Sequence, residues 1–164
     1  MILTREENWK EVKVGRMFNS SACIKADEKP GWIKQSQYVA HLGDHRTFIR
    51  QIDQLIESYG PLDERLVFIS DGAVWINNWI EDSFPKAVSV LDYYHATHYL
   101  YEFAEEYFAN TARTHRWVEV QKKLLLKSTV AKVMNNIQKL DPDQLQAKKV
   151  LDYYHANQTR MDYK

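Results

Sequence analysis

Cysteine is nearly absent from the sequence: Cys23 stands alone among 164 residues. A single thiol forms no disulfide within the chain and builds no cysteine-only metal site, a usage that suits a reducing cytoplasm. Long hydrophobic runs are missing as well. No stretch approaches the roughly 20 apolar residues that cross a bilayer, and the opening MILTREENWK lacks the basic and then apolar order of a signal peptide. These absences predict a cytoplasmic protein with no membrane partner. An excess of one charge is also lacking, because Lys+Arg and Asp+Glu both total 22. Dedicated nucleic-acid modules usually carry a basic surplus, so contact with DNA would have to come from local patches or from other parts of a longer protein.

What is present is core material. Hydrophobic residues make up 45% of the chain, with five Trp, ten Tyr and six Phe, against five Gly and four Pro. That composition excludes a disordered chain. The length favours one domain with at most an appended helical segment, able to bury roughly 70% of the surface exposed when unfolded.

Two-residue spacing near the start puts Val12, Val14 and Phe18 on one side and predicts a half-buried strand. SSACIKADEKPGW follows as a polar stretch with a Pro30-Gly31 turn signal, and IKQSQYVAHLG alternates again, with Ile33, Tyr38 and Val39 as its apolar residues. The two strands read as an antiparallel pair. Asp44 then caps a helix whose stripe is Phe48, Ile49, Ile52, Leu55, Ile56 and Tyr59, stopped by Gly60-Pro61. Leu66 to Ile69 form a continuous apolar run, the mark of a strand covered on both faces. A short helix runs from about Trp75 to Phe84, with Ile76, Trp79 and Ile80 on one face. The strand AVSVL ends at Asp92, and a helix covers about Thr97 to Phe108. Strand, helix and strand in alternation predict an α/β layer fold whose later strands are parallel.

From Arg113 the pattern is helical. Trp117, Val120 and Leu124 share one face, while Leu126, Val130, Val133, Ile137 and Leu140 fall nearly opposite. The mismatch predicts a break near Ser128-Thr129, where either hydroxyl can cap a second helix; Asp141-Pro142 opens a third. LDYYHA occurs at Leu91–Ala96 and again at Leu151–Ala156. The first copy follows β-favouring AVSV and the second helix-favouring QAKK, so the hexapeptide need not take one conformation, and the repetition reads as coincidence or locally biased sequence, not as a structural repeat.

Asp71 is the sharpest candidate for chemistry. It lies just past a buried strand and before Gly72, which lets the backbone turn sharply. Ligands gather at the carboxyl ends of strands in open α/β sheets, where an acid can hold a cation; an acid there equally well caps the following helix. Asp92 ends a second strand at the same edge and has the same two readings, since it can also bond the turn entering its helix. His95 and His98 have His-x-x-His spacing, but two imidazoles fall short of the four ligands of a structural zinc. Glu102, Glu105 and Glu106 read as a solvated face. Lys122, Lys123, Lys127 and Lys132 form a basic run that either meets water or touches DNA phosphates.

Four segments together are similar to one family: LTREENWKEVKVGRMF, VFISDGAVWINNWI, VLDYYHATHYLYEFA and YYHANQTRMDYK, spread in order over nearly the whole chain. They resemble bacterial insertion-sequence transposases of the Kra type, within the Mutator-like group of RNase H-fold DDE enzymes. The resemblance implies two Asp and one Glu holding two Mg²⁺ or Mn²⁺ ions, which cut and join DNA by in-line attack on phosphorus. Asp71 matches the second Asp and hence a metal ligand. His95 falls where relatives keep a polar residue beside the site, and Asp92 matches a position to which the resemblance attaches no role.

The expected fold class is α/β: an incomplete RNase H-like mixed sheet with flanking helices over residues 1–112, then an all-helical insertion over 113–164. The family's first Asp would precede Met1 and its Glu would follow Lys164. The chain is therefore expected to be a fragment holding one of three catalytic acids, binding Mg²⁺ or Mn²⁺ poorly and inactive alone. Transposon-end DNA, full-length transposase and a second copy of the chain are the expected partners. Two other functions compete. One is a non-catalytic module that modulates intact transposase. The other is a small metal-dependent nuclease using Asp71, Asp92 and His95.

Overall fold

Short alternating segments dominate the first part of the chain, and they pair as antiparallel ladders. The computed structural model describes residues 2–4, 8–26, 29–60 and 66–164, in two compact units spanning residues 1–64 and 65–164. In the first unit, β1 (Ile2–Thr4) pairs antiparallel with β2 (Asn8–Lys10). Strand β3 (Val12–Met17) runs on to a 3₁₀ turn at Ser20–Ala22. The segment read as a polar loop is instead a hairpin, β4 (Cys23–Ala26) with β5 (Lys29–Ile33). Pro30-Gly31 lies inside β5, not at a turn. The register slips there: Ile24 to Ala26 spans two residues where Trp32 back to Lys29 spans three. A bulge of this kind is where a strand tolerates Pro and Gly.

Strand β6 (Gln37–Leu42) pairs antiparallel with β3, from Val12↔Leu42 to Met17↔Gln37, as the alternation predicts. The inward face, however, is the opposite of the expected one. Val12 is half-buried as expected, but from there Lys13, Gly15 and Met17 are the half-buried residues, whereas Val14 and Phe18 are exposed. Gly15 explains the reversal. Helix α1 (His45–Ser58) packs on that side so closely that a Cβ on Gly15 would collide with Ile52 Cδ1 and lie 3.2 Å from Phe48 Cζ. Lys13 buries its stem and delivers its ammonium to the Gly43 carbonyl at 2.8 Å. On the outer face, the Arg16 guanidinium covers the Phe18 and Tyr38 rings, 5.5 and 5.4 Å from their centroids. Asp44 caps α1 as expected, its carboxylate accepting from the Thr47 N–H at 2.9 Å, and Phe48, Ile52 and Ile56 are the buried part of the stripe.

The second unit opens with β7 (Val67–Ser70), α2 (Val74–Ser83) and β8 (Val88–Leu91). β7 and β8 are parallel, in register from Val67↔Val88 to Ser70↔Leu91. α2 seats Trp79 against Phe68 and Phe84, with ring centroids 5.2 to 5.6 Å apart. The expectation that β7 is covered on both faces fails: Val67 and Ile69 are 56% and 66% exposed. Aromatic packing covers the Phe68 face of the pair and leaves the alternate side chains of β7 in solvent.

Helix α3 (Tyr93–Phe108) begins a turn earlier than the apolar pattern implies, because Asp92 caps it. It is followed by α4 (Thr111–Leu125), α5 (Val130–Leu140), α6 (Lys148–Asn157) and a 3₁₀ turn at Gln158–Arg160. These elements share a core of Leu91, Leu100, Val118, Leu125, Ile137 and Tyr154, among others. The boundary expected near residue 112 lies inside this unit, where α3 and α4 pack together and Thr114 Oγ1 donates to the Ala104 carbonyl at 3.1 Å.

The break between α4 and α5 falls where expected, with Ser128 at φ +53, but neither hydroxyl caps α5. Thr129 donates back to the Leu124 carbonyl at 2.7 Å, and Ser128 donates to Asp162. The fully buried positions of α4 are Thr114, Val118, Gln121 and Leu125; of the expected face, Trp117 and Leu124 are half-buried against the same core and Val120 is exposed. Asp141 does not start α6 directly: its carboxylate accepts from the Gln146 and Ala147 N–H groups at 2.8 and 2.7 Å and shapes the turn before Lys148. Among the described residues the architecture is mixed α/β, with six α-helices and four two-stranded sheets.

Candidate functional site

The parallel register ends at Ser70↔Leu91, so Asp71 and Asp92 each stand one residue past a paired strand end, at one edge. The Asp92 N–H still donates to the Ser70 carbonyl at 2.7 Å, which ties the two ends together. Asp71 is exposed. Its Oδ1 accepts from the Ala73 N–H at 3.0 Å, a local turn, whereas the N-cap position of α2 is Ala73, which has no side-chain cap. Gly72, at φ +87, makes that turn. A Cβ there would lie 2.8 Å from Leu91 Cδ1 and 3.0 Å from the Tyr153 hydroxyl, so conformation favours glycine and any side chain would have to displace these neighbours.

Asp92 Oδ1 accepts from the His95 N–H at 2.8 Å and caps α3. The carboxylate therefore has a structural duty at the same edge as Asp71. His95 is exposed, its ring 6.0 and 6.4 Å from those of Tyr99 and Tyr153. His98 turns to Glu102, with Nε2 3.4 Å from Oε1, so the two imidazoles do not converge. Of the basic run, Lys122 pairs with Glu119, which raises the lysine pKa, while Lys123 and Lys127 are exposed near the end of α4.

Several residues at this edge escape a reading of the sequence. The Tyr153 hydroxyl, from α6, donates to the Asp71 carbonyl at 2.7 Å. Its ring stacks on Tyr99 at 3.9 Å and 9° between planes, and burial, with the nearby Tyr99, raises its pKa. Arg160, only 7% exposed, donates from Nη2 to Ser70 Oγ at 2.7 Å and from Nη1 to Asn157 Oδ1 at 3.0 Å. Some 90 residues separate Arg160 from Ser70, too far for spacing to reveal. The one usable signal is the second LDYYHA, whose tyrosines return to the first copy: Tyr154 donates to the Ala96 carbonyl at 2.9 Å.

A two-metal centre needs several converging acids. Here two acids share an edge, each with an oxygen held by a backbone N–H, and among the described residues no three His, Cys, Asp or Glu side chains gather around a point that could hold an ion. These residues alone do not make such a centre. Against protein-family models, curated proteins and solved structures, the chain has no match.

Proposed function

We propose that this chain is part of the catalytic domain of a DDE-type DNA transposase with an RNase H-like fold, in which Asp71 is one of the carboxylates that hold Mg²⁺ or Mn²⁺. The observation carrying this reading is the place of Asp71: exposed, just beyond a parallel strand pair, on a turn whose left-handed next residue favours glycine. Such edges are where α/β sheets assemble sites from residues distant in sequence. The order of elements supports it too: antiparallel pairs, a helix, then strand, helix, parallel strand and helix.

Within this reading the acids that complete the centre lie outside the residues gathered here, and the chain by itself does not cleave DNA. β7 has an edge with no neighbouring strand among the described residues and exposes Val67 and Ile69. An additional strand carrying a further acid would find its place there. Lys123 and Lys127 contribute sequence-independent affinity for phosphates.

The coding DNA on either side of the gene provides the test. An in-frame Asp-Gly upstream and a Gly-Ser-Gly followed by Glu downstream are expected, and the longer polypeptide then cleaves transposon-end DNA with Mn²⁺ until Asp71 is changed to Asn. Unrelated flanking sequence overturns the reading. So does Mn²⁺-dependent cleavage by the chain alone that disappears in Asp71→Ala, which would identify a small nuclease instead.

A further inference from the structure

A charged side chain placed away from water must be compensated, and burial costs a cation heavily when its partners are neutral. Arg160 is such a case. It is 7% exposed, its two bonded partners are the neutral Ser70 Oγ and Asn157 Oδ1, and its buried Nε has no hydrogen-bond partner. Burial presses its pKa down; Tyr153, then the Asp71 and Glu81 carboxylates, act in the opposite direction. A packing role alone would be served by an apolar side chain. This guanidinium is aimed at the last residue of β7, directly before Asp71.

We propose that Arg160 is the positioning residue of the Asp71 edge: through Ser70 it fixes the end of β7 and so the direction in which Asp71 presents its carboxylate. Tyr153 and Asn157 complete the clamp. The tyrosine hydroxyl holds the Asp71 carbonyl, and Asn157 Oδ1, which accepts from Arg160, lies 3.3 Å from where a Gly72 Cβ would be. The turn at residues 70–72 is thus gripped from behind by side chains of α6 and the following 3₁₀ turn, leaving the Asp71 carboxylate on the exposed side. This inference rests on the reading of Asp71 as a ligand-holding acid, and it concerns how that acid is aimed.

Amide hydrogen exchange on the intact chain tests it, because the Ala73 N–H bonded to Asp71 Oδ1 reports the turn, and the Asp141 N–H bonded to the Ile137 carbonyl reports a distant helix end. Arg160→Met and Ser70→Ala are both expected to speed exchange at Ala73 about tenfold, as loss of a charge-assisted bond implies, with Asp141 within about twofold of wild type. Arg160→Lys, which keeps the charge, is expected to lie between. Unchanged exchange at Ala73 in Ser70→Ala overturns the proposal, as does equal acceleration at both amides in Arg160→Met. Should Arg160→Met fail to fold, Ser70→Ala decides alone. The readout involves neither metal nor DNA, so its failure leaves the transposase reading to its own test, and failure of that reading leaves the clamp standing.

Discussion

Asp44 shows how a single carboxylate links pH to stability. Its pKa falls from 3.8 to about 2, chiefly because it accepts hydrogen bonds from the Thr47 backbone and side chain. A group whose folded pKa is depressed stabilises the fold above its unfolded value and loses that contribution as pH drops through the folded one. Its window therefore runs from about pH 4 down to about pH 2. Asp44→Ala is expected to lower the midpoint of thermal unfolding at pH 7, with the difference from wild type shrinking across that window. Melts at about pH 7, 4, 3 and 2 would check it; a difference constant with pH would mean that the carboxylate does not cap α1. In the second unit, Gly72→Ala forces a side chain into a left-handed turn already filled by Leu91 and Tyr153. A loss of about 1–2 kcal/mol is expected from the conformation alone, measured by urea denaturation. A loss no larger than experimental error would mean that the turn rearranges freely.

At the scale of elements, the two LDYYHA copies act as complementary parts. The first spans the end of β8, the cap and the first turn of α3, while the second lies wholly within α6. Tyr154 of the second copy is fully buried and bonds the Ala96 carbonyl of the first. Tyr154→Phe keeps the ring and deletes that bond, so a loss of about 1 kcal/mol in urea denaturation is expected. A neutral outcome would show that apolar packing alone joins α6 to α3. The flanks of the two copies allowed them to differ in conformation, but the repetition read as coincidence; their contact was not legible, because no local pattern encodes pairing across about 60 residues. Faces were less legible than elements. In β3 the two-residue period gives the strand correctly, yet Gly15 rather than Val14 faces α1, since a helix approaches closest where a side chain is missing. In α4, Thr114 and Gln121 turn inward because the Ala104 carbonyl and the Asn136 amide satisfy them there, an inversion that hydrophobicity cannot register. At the candidate site, the place of Asp71 and Asp92 followed from two short apolar runs, each ending in an acid. The clamp behind them belongs to a polar stretch that reads as surface.

For the whole molecule, the distribution of the core matters more than the absence of net charge. Every member of the main buried cluster, from Leu91 to Met161, belongs to the second unit. A fragment of residues 65–164 should therefore fold alone, with strong helical circular dichroism and one cooperative urea transition. It also retains a vulnerability. β7 pairs on one side only among the described residues, and Val67 and Ile69 face solvent. An open strand edge with apolar side chains is a template for association with another strand. The fragment is expected to self-associate as its concentration rises, and Ile69→Lys should suppress this without lowering the urea midpoint, because the side chain replaced contributes little burial. Sedimentation velocity across a concentration series separates the outcomes. A wild-type fragment that stays monomeric would show that the edge is protected without a further strand, removing one support for a larger sheet built around Asp71. A folded fragment whose association depends on Ile69 would locate the surface at which the rest of such a sheet is added.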